Sequence, residues 1–158
     1  MATIPTRDEL LAALEAERSA IFELLPRFDD EQWRTAVRSD GWTAHDIASH
    51  LADANYGLAL LVLGEMQPTL PTNPTTGWMD PDENNRQRRE KNASLPREKV
   101  ATRMASAFEH ARRAIETVQD VDAPGPYGPR HTKGQWLKRI IDHTREHRSD
   151  LEALLKER

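Results

Sequence analysis

Residues 132–155, TKGQWLKRIIDHTREHRSDLEALL, carry the pattern that decides the fold. Thr132 and Gln135 have the spacing of a capping box, in which a hydroxyl and a side-chain carbonyl satisfy orphan N–H groups at a helix start. Behind them Trp136, Ile140, His143, His147, Leu151 and Leu154 recur at intervals of three and four, so they share one helical face. The spacing predicts a helix running to the C-terminus, with two imidazoles set into its apolar seam.

The same period appears three more times upstream. Thr6-Arg-Asp-Glu9 is another capping-box pattern, and Leu10, Ala13, Leu14, Ile21, Leu24 and Leu25 follow as a stripe that Glu17 interrupts and Pro26 ends. After the polar stretch RFDDEQWRTAVRSDGW, Thr43 reads as an N-cap with Asp46 at the third helical position. Ile47, His50, Leu51, Ala54, Leu58 and Leu61 then share a face, and Gly64 closes the segment. A third long helix is predicted from near Ser94, with Val100, Met104, Ala107, Ala111, Ile115 and Val118 as its stripe.

Between the second and third, Pro68, Pro71 and Pro74 forbid a helix. Asp80-Pro81-Asp82-Glu83 then reads as a start, with Asp80 as N-cap and Pro81 at N1, for a short, very polar helix reaching Lys91. Residues 122–130, DAPGPYGPR, read as a loop. The expected architecture is all-α: a four-helix bundle with a long loop and a short extra helix between helices 2 and 3.

Composition bounds the rest. A chain of 158 residues is expected to form one domain, 1–158, with 37% hydrophobic and 30% charged residues giving a modest core under a charged surface. There are no cysteines, which excludes disulfides, thiolate ligands and cysteine nucleophiles, and fits a cytoplasmic setting. A formal charge of −4 argues against nucleic acid as a partner. The longest apolar run, Leu58 to Leu63, is far short of the roughly 20 residues needed to span a bilayer, and the N-terminus has no secretory pattern.

Chemistry sits on the seams. His143 and His147, four apart, stand one above the other on one helix, a spacing that lets two imidazoles reach one ion. His50 lies on the seam of the second helix between Ile47 and Leu51. Three imidazoles thus point inward from two helices. Each is either hydrogen-bonded in the core or shares a divalent cation with the others; an unsatisfied buried polar group costs about 1–3 kcal/mol. Asp53, three residues after His50, is the candidate catalytic base or supporting carboxylate, with Asp46, Asp142 and Glu146 as further acids near the rings.

His45 is expected on the solvent side of its first turn, His110 off its helix stripe and His131 in a loop. Glu17 is expected to pack its stem and send its carboxylate to water. Trp33, Trp42, Trp78 and Trp136 read as core or helix-end packing, with Trp42 as a staple and Trp78 over a pocket mouth. The run Arg86 to Lys91 reads as a solvated face. No Gly-rich phosphate loop and no GxSxG elbow occur.

In these residues the chain resembles the DinB/YfiT-like superfamily, and most of all the N-terminal domain of the mycothiol-dependent maleylpyruvate isomerases. The resembling segments are DEQWRTAVRSDGWTAHDIASHLA, residues 30–52, and IIDHTREHRSDL, residues 140–151. The family's Gly-Trp-Thr/Ser helix start, its following histidine and its His/Glu-xxx-His pair fall on Gly41, Trp42, Thr43, His50, His143 and His147. Those isomerases use a glutamate where His143 stands and carry a second, C-terminal domain, for which no counterpart is expected here.

The resemblance implies an up-down-down-up bundle, a homodimer and a divalent metal, zinc or nickel, held by His50, His143 and His147. It also implies a metal-dependent enzyme, a thiol transferase, isomerase or hydrolase. The ion would activate a low-molecular-weight thiol such as mycothiol, or water, against a small electrophilic substrate. The alternative is a non-catalytic metal- or small-molecule-binding helical protein.

Overall fold

The computed structural model describes residues 5–156. Helix α1 spans Arg7–Leu24 and starts on the Thr6–Glu9 capping box, both of whose bonds form. Pro26 does end it, through a 3₁₀ turn over Leu25–Arg27. The polar stretch beyond is more ordered than its composition suggests. Asp29 and Gln32 close a further capping box around a short helix α2, Asp30–Thr35, which buries Trp33.

Helix α3, Ala44–Leu63, begins on the Thr43–Asp46 box and ends where Gly64 turns left-handed at φ 76°. Helix α4 covers Asp82–Asn92 with Pro81, not Asp80, at the cap position. Asp80 instead accepts the Asp82 N–H at 3.3 Å. Helix α5, Arg97–Thr117, starts three residues after Ser94, because Pro96 takes the N-cap position. The expected loop 122–130 is in part a hairpin: β1, Pro124–Gly125, pairs antiparallel with β2, Gly128–Thr132. Gly128 supplies the positive φ, 110°, that the tight turn requires. Helix α6 is Lys133–Lys156, with the Thr132–Gln135 box formed at its start.

The four long helices α1, α3, α5 and α6 bury one continuous apolar cluster, including Leu10, Ile21, Ile47, Leu51, Met104, Ile115, Trp136, Ile140 and Leu151. Helix α1 packs on α5 and α6, and so does α3, which gives the ring order α1–α5–α3–α6. Side-chain contacts fix the directions. Arg97 at the start of α5 reaches the Leu25 and Phe28 carbonyls at the end of α1, and Arg7 at the start of α1 reaches the Val118 carbonyl, so these helices are antiparallel. Asp53 pairs with Arg103 and Glu65 with Arg113, so α3 and α5 run parallel. Arg38 meets Asp150, while Asn55 meets Thr144, so α6 runs against α3. The bundle is up-down-down-up. The long connection from Gly64 to Pro96 is what permits α3 and α5 to point the same way. Among the described residues, no helix is long and apolar enough to cross a membrane.

Candidate metal centre

The antiparallel register of α3 and α6 brings His50 opposite His143 and His147. His143 Nε2 lies 3.2 Å from His50 Nε2 and 3.0 Å from His147 Nε2. One ligand atom from each ring falls within 4.8 Å of the others, so the three could hold a metal ion. Nitrogens about 2.0–2.1 Å from one zinc ion sit roughly 2.8–3.4 Å apart, at angles between a right angle and the tetrahedral one. The separations of 3.2 and 3.0 Å have that size.

Neighbouring side chains fix which nitrogens face inward. The Thr144 hydroxyl donates to the Ile140 carbonyl at 2.8 Å, so its oxygen accepts the Asn55 Nδ2 donor at 2.7 Å. That leaves Asn55 Oδ1 facing His143 Nδ1 at 3.3 Å. His143 therefore carries its proton on Nδ1 and turns the Nε2 lone pair inward. Asp150 Oδ2 accepts from His147 Nδ1 at 3.2 Å, with the same result. Asp150 is itself held by Arg38 at 2.8 Å.

Protonation does not relieve the crowding of these lone pairs. Burial, with the neighbouring His147 charge, pushes His50 down to about 4. Burial, then His147 and His50, pushes His143 down to about 2. Burial also lowers His147, although Asp150 acts the other way. At neutral pH three uncharged rings thus converge, and two of them oppose lone pairs at 3.0 Å. A shared cation is the simplest species that satisfies both. The donor set fits a divalent ion of the kind that imidazole favours.

The rest of the site is a wall. Trp42 meets the His50 ring edge-on, with centroids 5.6 Å apart, and Arg38 and Arg89 lie over its own ring at 5.6 and 5.1 Å. Arg139, four residues before His143, lies 4.8 Å over Trp78. Trp78 in turn stacks on His131 at 3.8 Å and meets Trp136 at 4.6 Å, so it packs the long connection onto the hairpin and α6.

Several expected residues lie elsewhere. Asp53 is not in the imidazole group: its carboxylate accepts Asn92 Nδ2 at 2.6 Å and pairs with Arg103 at 3.5 Å, toward α4 and α5. Asp46 accepts the Thr43 N–H at 3.0 Å and pairs with Arg89 at 3.1 Å. Asp142 pairs with Lys138 and Arg145 away from the rings.

Two expectations are reversed. His45 is buried, not solvent-facing: the Trp33 indole donates to its Nδ1 at 2.9 Å, and its Nε2 donates to the Asn92 carbonyl at 2.9 Å. The end of α4 folds over it, which the periodicity of α3 alone does not reveal. Glu17 does not reach water. Its side chain is 5% exposed and is held by Arg148 at 2.8 Å and Arg145 at 3.1 Å. Burial would raise its pKa, but the bonds and charges of Arg148, then Arg145, hold it below the usual range.

Sequence reasoning missed Asn55 and Asp150. The signal for Asp150 was present as an acid three residues after His147. Asn55 shows only once α3 and α6 are in register.

The molecule is thus a mostly helical bundle, with one small hairpin and a three-histidine group that could hold a divalent ion. The sequence profile of the DinB superfamily matches residues 6–151. The chain belongs to the DinB superfamily. No curated protein and no solved structure matches it significantly.

Proposed function

We propose that the chain is a metal-dependent enzyme of the DinB type, in which His50, His143 and His147 hold zinc or nickel. The carrying observation is the pair of inward lone pairs on His143 and His147, 3.0 Å apart and each fixed by its own acceptor. A divalent ion supplies Lewis acidity that lowers the pKa of a coordinated thiol or water toward neutrality.

The chain's own residues prepare for such chemistry. Asn55 and Asp150 hold the ligand rings in one tautomer and orientation. Arg38 holds the Asp150 carboxylate in place. Trp42 covers one side of His50 and limits water there. The chain offers no cysteine, so a sulfur nucleophile must come with a cosubstrate.

A low-molecular-weight thiol such as mycothiol, acting on a small electrophile by transfer or isomerisation, is the first choice; hydrolysis is the second. The resemblance to the maleylpyruvate isomerases supports the thiol, the dimerisation frequent in the DinB/YfiT-like superfamily supports a homodimer, and the absence of cysteine fits the cytoplasm. Asp53 was the candidate base, but this reading requires none from it, since Asp150 is the carboxylate beside the rings.

The test begins with metal analysis of protein purified without a histidine tag, followed by metal-dependent consumption of a thiol with a small electrophile. One ion per chain and turnover that His50→Ala abolishes, without a loss of folding, are expected. An ion bound with no turnover across thiols and electrophiles would favour a non-catalytic binding protein. No uptake on titration with zinc or nickel would end the metal reading.

A further inference from the structure

A cavity lies between α3, α4 and α5 and shares no lining residue with the imidazole group. It is a cleft of about 340 Å³ walled by Asp53, Tyr56, Gly57, Met66, Arg88, Arg103 and neighbours. That volume is in the range of small-molecule sites.

Three observations bear on what it takes. First, three large apolar side chains are exposed among the described residues, and two of them, Tyr56 at 38% and Met66 at 40%, line this cleft; the third is Val37 at 51%. The Tyr56 ring is held edge-on to His110 at 4.8 Å, and His110 Nδ1 donates to the Ser106 carbonyl at 2.8 Å. Second, Arg88 is an exposed cation with no hydrogen bond or ion pair among the described residues. The other charges of the cleft cancel, because Asp53 is taken by Asn92 at 2.6 Å and Arg103 at 3.5 Å.

Third, Gly57 forms part of the floor within α3, where glycine costs helix stability. A Cβ built there meets nothing within 4 Å, so packing does not require glycine. Its effect is to leave the space open.

We propose that this cleft binds a small anion with a flat apolar body, an aromatic or unsaturated carboxylate. The carboxylate pairs with Arg88, and the body lies against Tyr56 and Met66 over Gly57. The site works without the metal centre, so its test does not depend on the reading above.

The test titrates benzoate into the full chain after chelator treatment and desalting, and follows backbone amide NMR signals. Benzamide serves as the neutral ring and inorganic phosphate as charge without a ring. Saturable shifts centred on Gly57 and Ser106 are expected with benzoate. Binding is expected to weaken about tenfold or more in Arg88→Ala, as loss of a charge-assisted bond implies. It should vanish in Gly57→Leu, which fills the floor. Both variants should keep the far-ultraviolet spectrum of the parent and melt no lower than it, since neither removes a native contact and Gly57→Leu removes a helix glycine. Equal binding of benzamide or phosphate would overturn the proposal, as would titrations unchanged in both variants, or no saturable shift at the cleft.

Discussion

Asp150 decides which nitrogen of His147 is free to ligate. Asp150→Ala is therefore expected to lower metal affinity about 10–100-fold, as loss of such a supporting bond does. Competition with a chromophoric chelator measures it. Acid acts on the same scale. Burial holds His45 below the ordinary imidazole value of 6.5, against the pull of the Asn92 carbonyl. His50, His143 and His147 are lowered too. Below that value the folded chain binds fewer protons than the unfolded one. Stability is thus complete above about pH 6.5 and declines as pH falls through the lowered folded values. Urea midpoints of the metal-free chain measured from neutral pH downward should show this decline, and a flat profile would contradict the burial of these rings.

At the scale of elements, α6 is tied to α1 by Glu17. Replacing Glu17 by Gln leaves Arg148, 23% exposed on its side chain, with a weaker acceptor. A loss of about 1–3 kcal/mol is expected in urea denaturation. Glu152→Gln, at the 42% exposed rim of the same network, should stay within about 0.5 kcal/mol. Which features of the elements were legible follows from how local they are. The boxes at Thr6, Thr43 and Thr132 depend on residues three apart, and all form. The α3 and α6 seams put His50, His143 and His147 inward for the same reason. Glu17 was misread because its arginines stand on α6, far along the chain, where no period in α1 could announce them. The hairpin over 124–132 was missed because strands of this length leave no alternating pattern.

For the whole molecule, the triad links α3 to α6, so a bound ion stabilises the folded chain by mass action. At a free concentration a hundredfold above Kd the gain is about 2.7 kcal/mol. A thermal shift with added zinc, absent in His50→Ala, checks it. The ring order was legible only in part. A parallel α3 and α5 require a connection spanning about 30 Å, the length of a 20-residue helix. The proline-rich stretch after Gly64, followed by a short helix, is long enough to make that return. Where it would adhere was not legible, since its anchors are tertiary. Tyr127 receives the Leu70 N–H at 3.2 Å, His131 donates to the Thr76 carbonyl at 2.7 Å, and Arg130 holds the Pro74 and Thr75 carbonyls.

That connection also divides the donors unequally. A single backbone scission near Pro68 would leave His50 on the leading fragment and both His143 and His147 on the trailing one. The halves would then be joined by the apolar interface and by the ion itself. Their reassembly should answer to zinc, with co-elution when it is supplied and separation in chelator, which would make the nicked protein a metal-gated complementation pair.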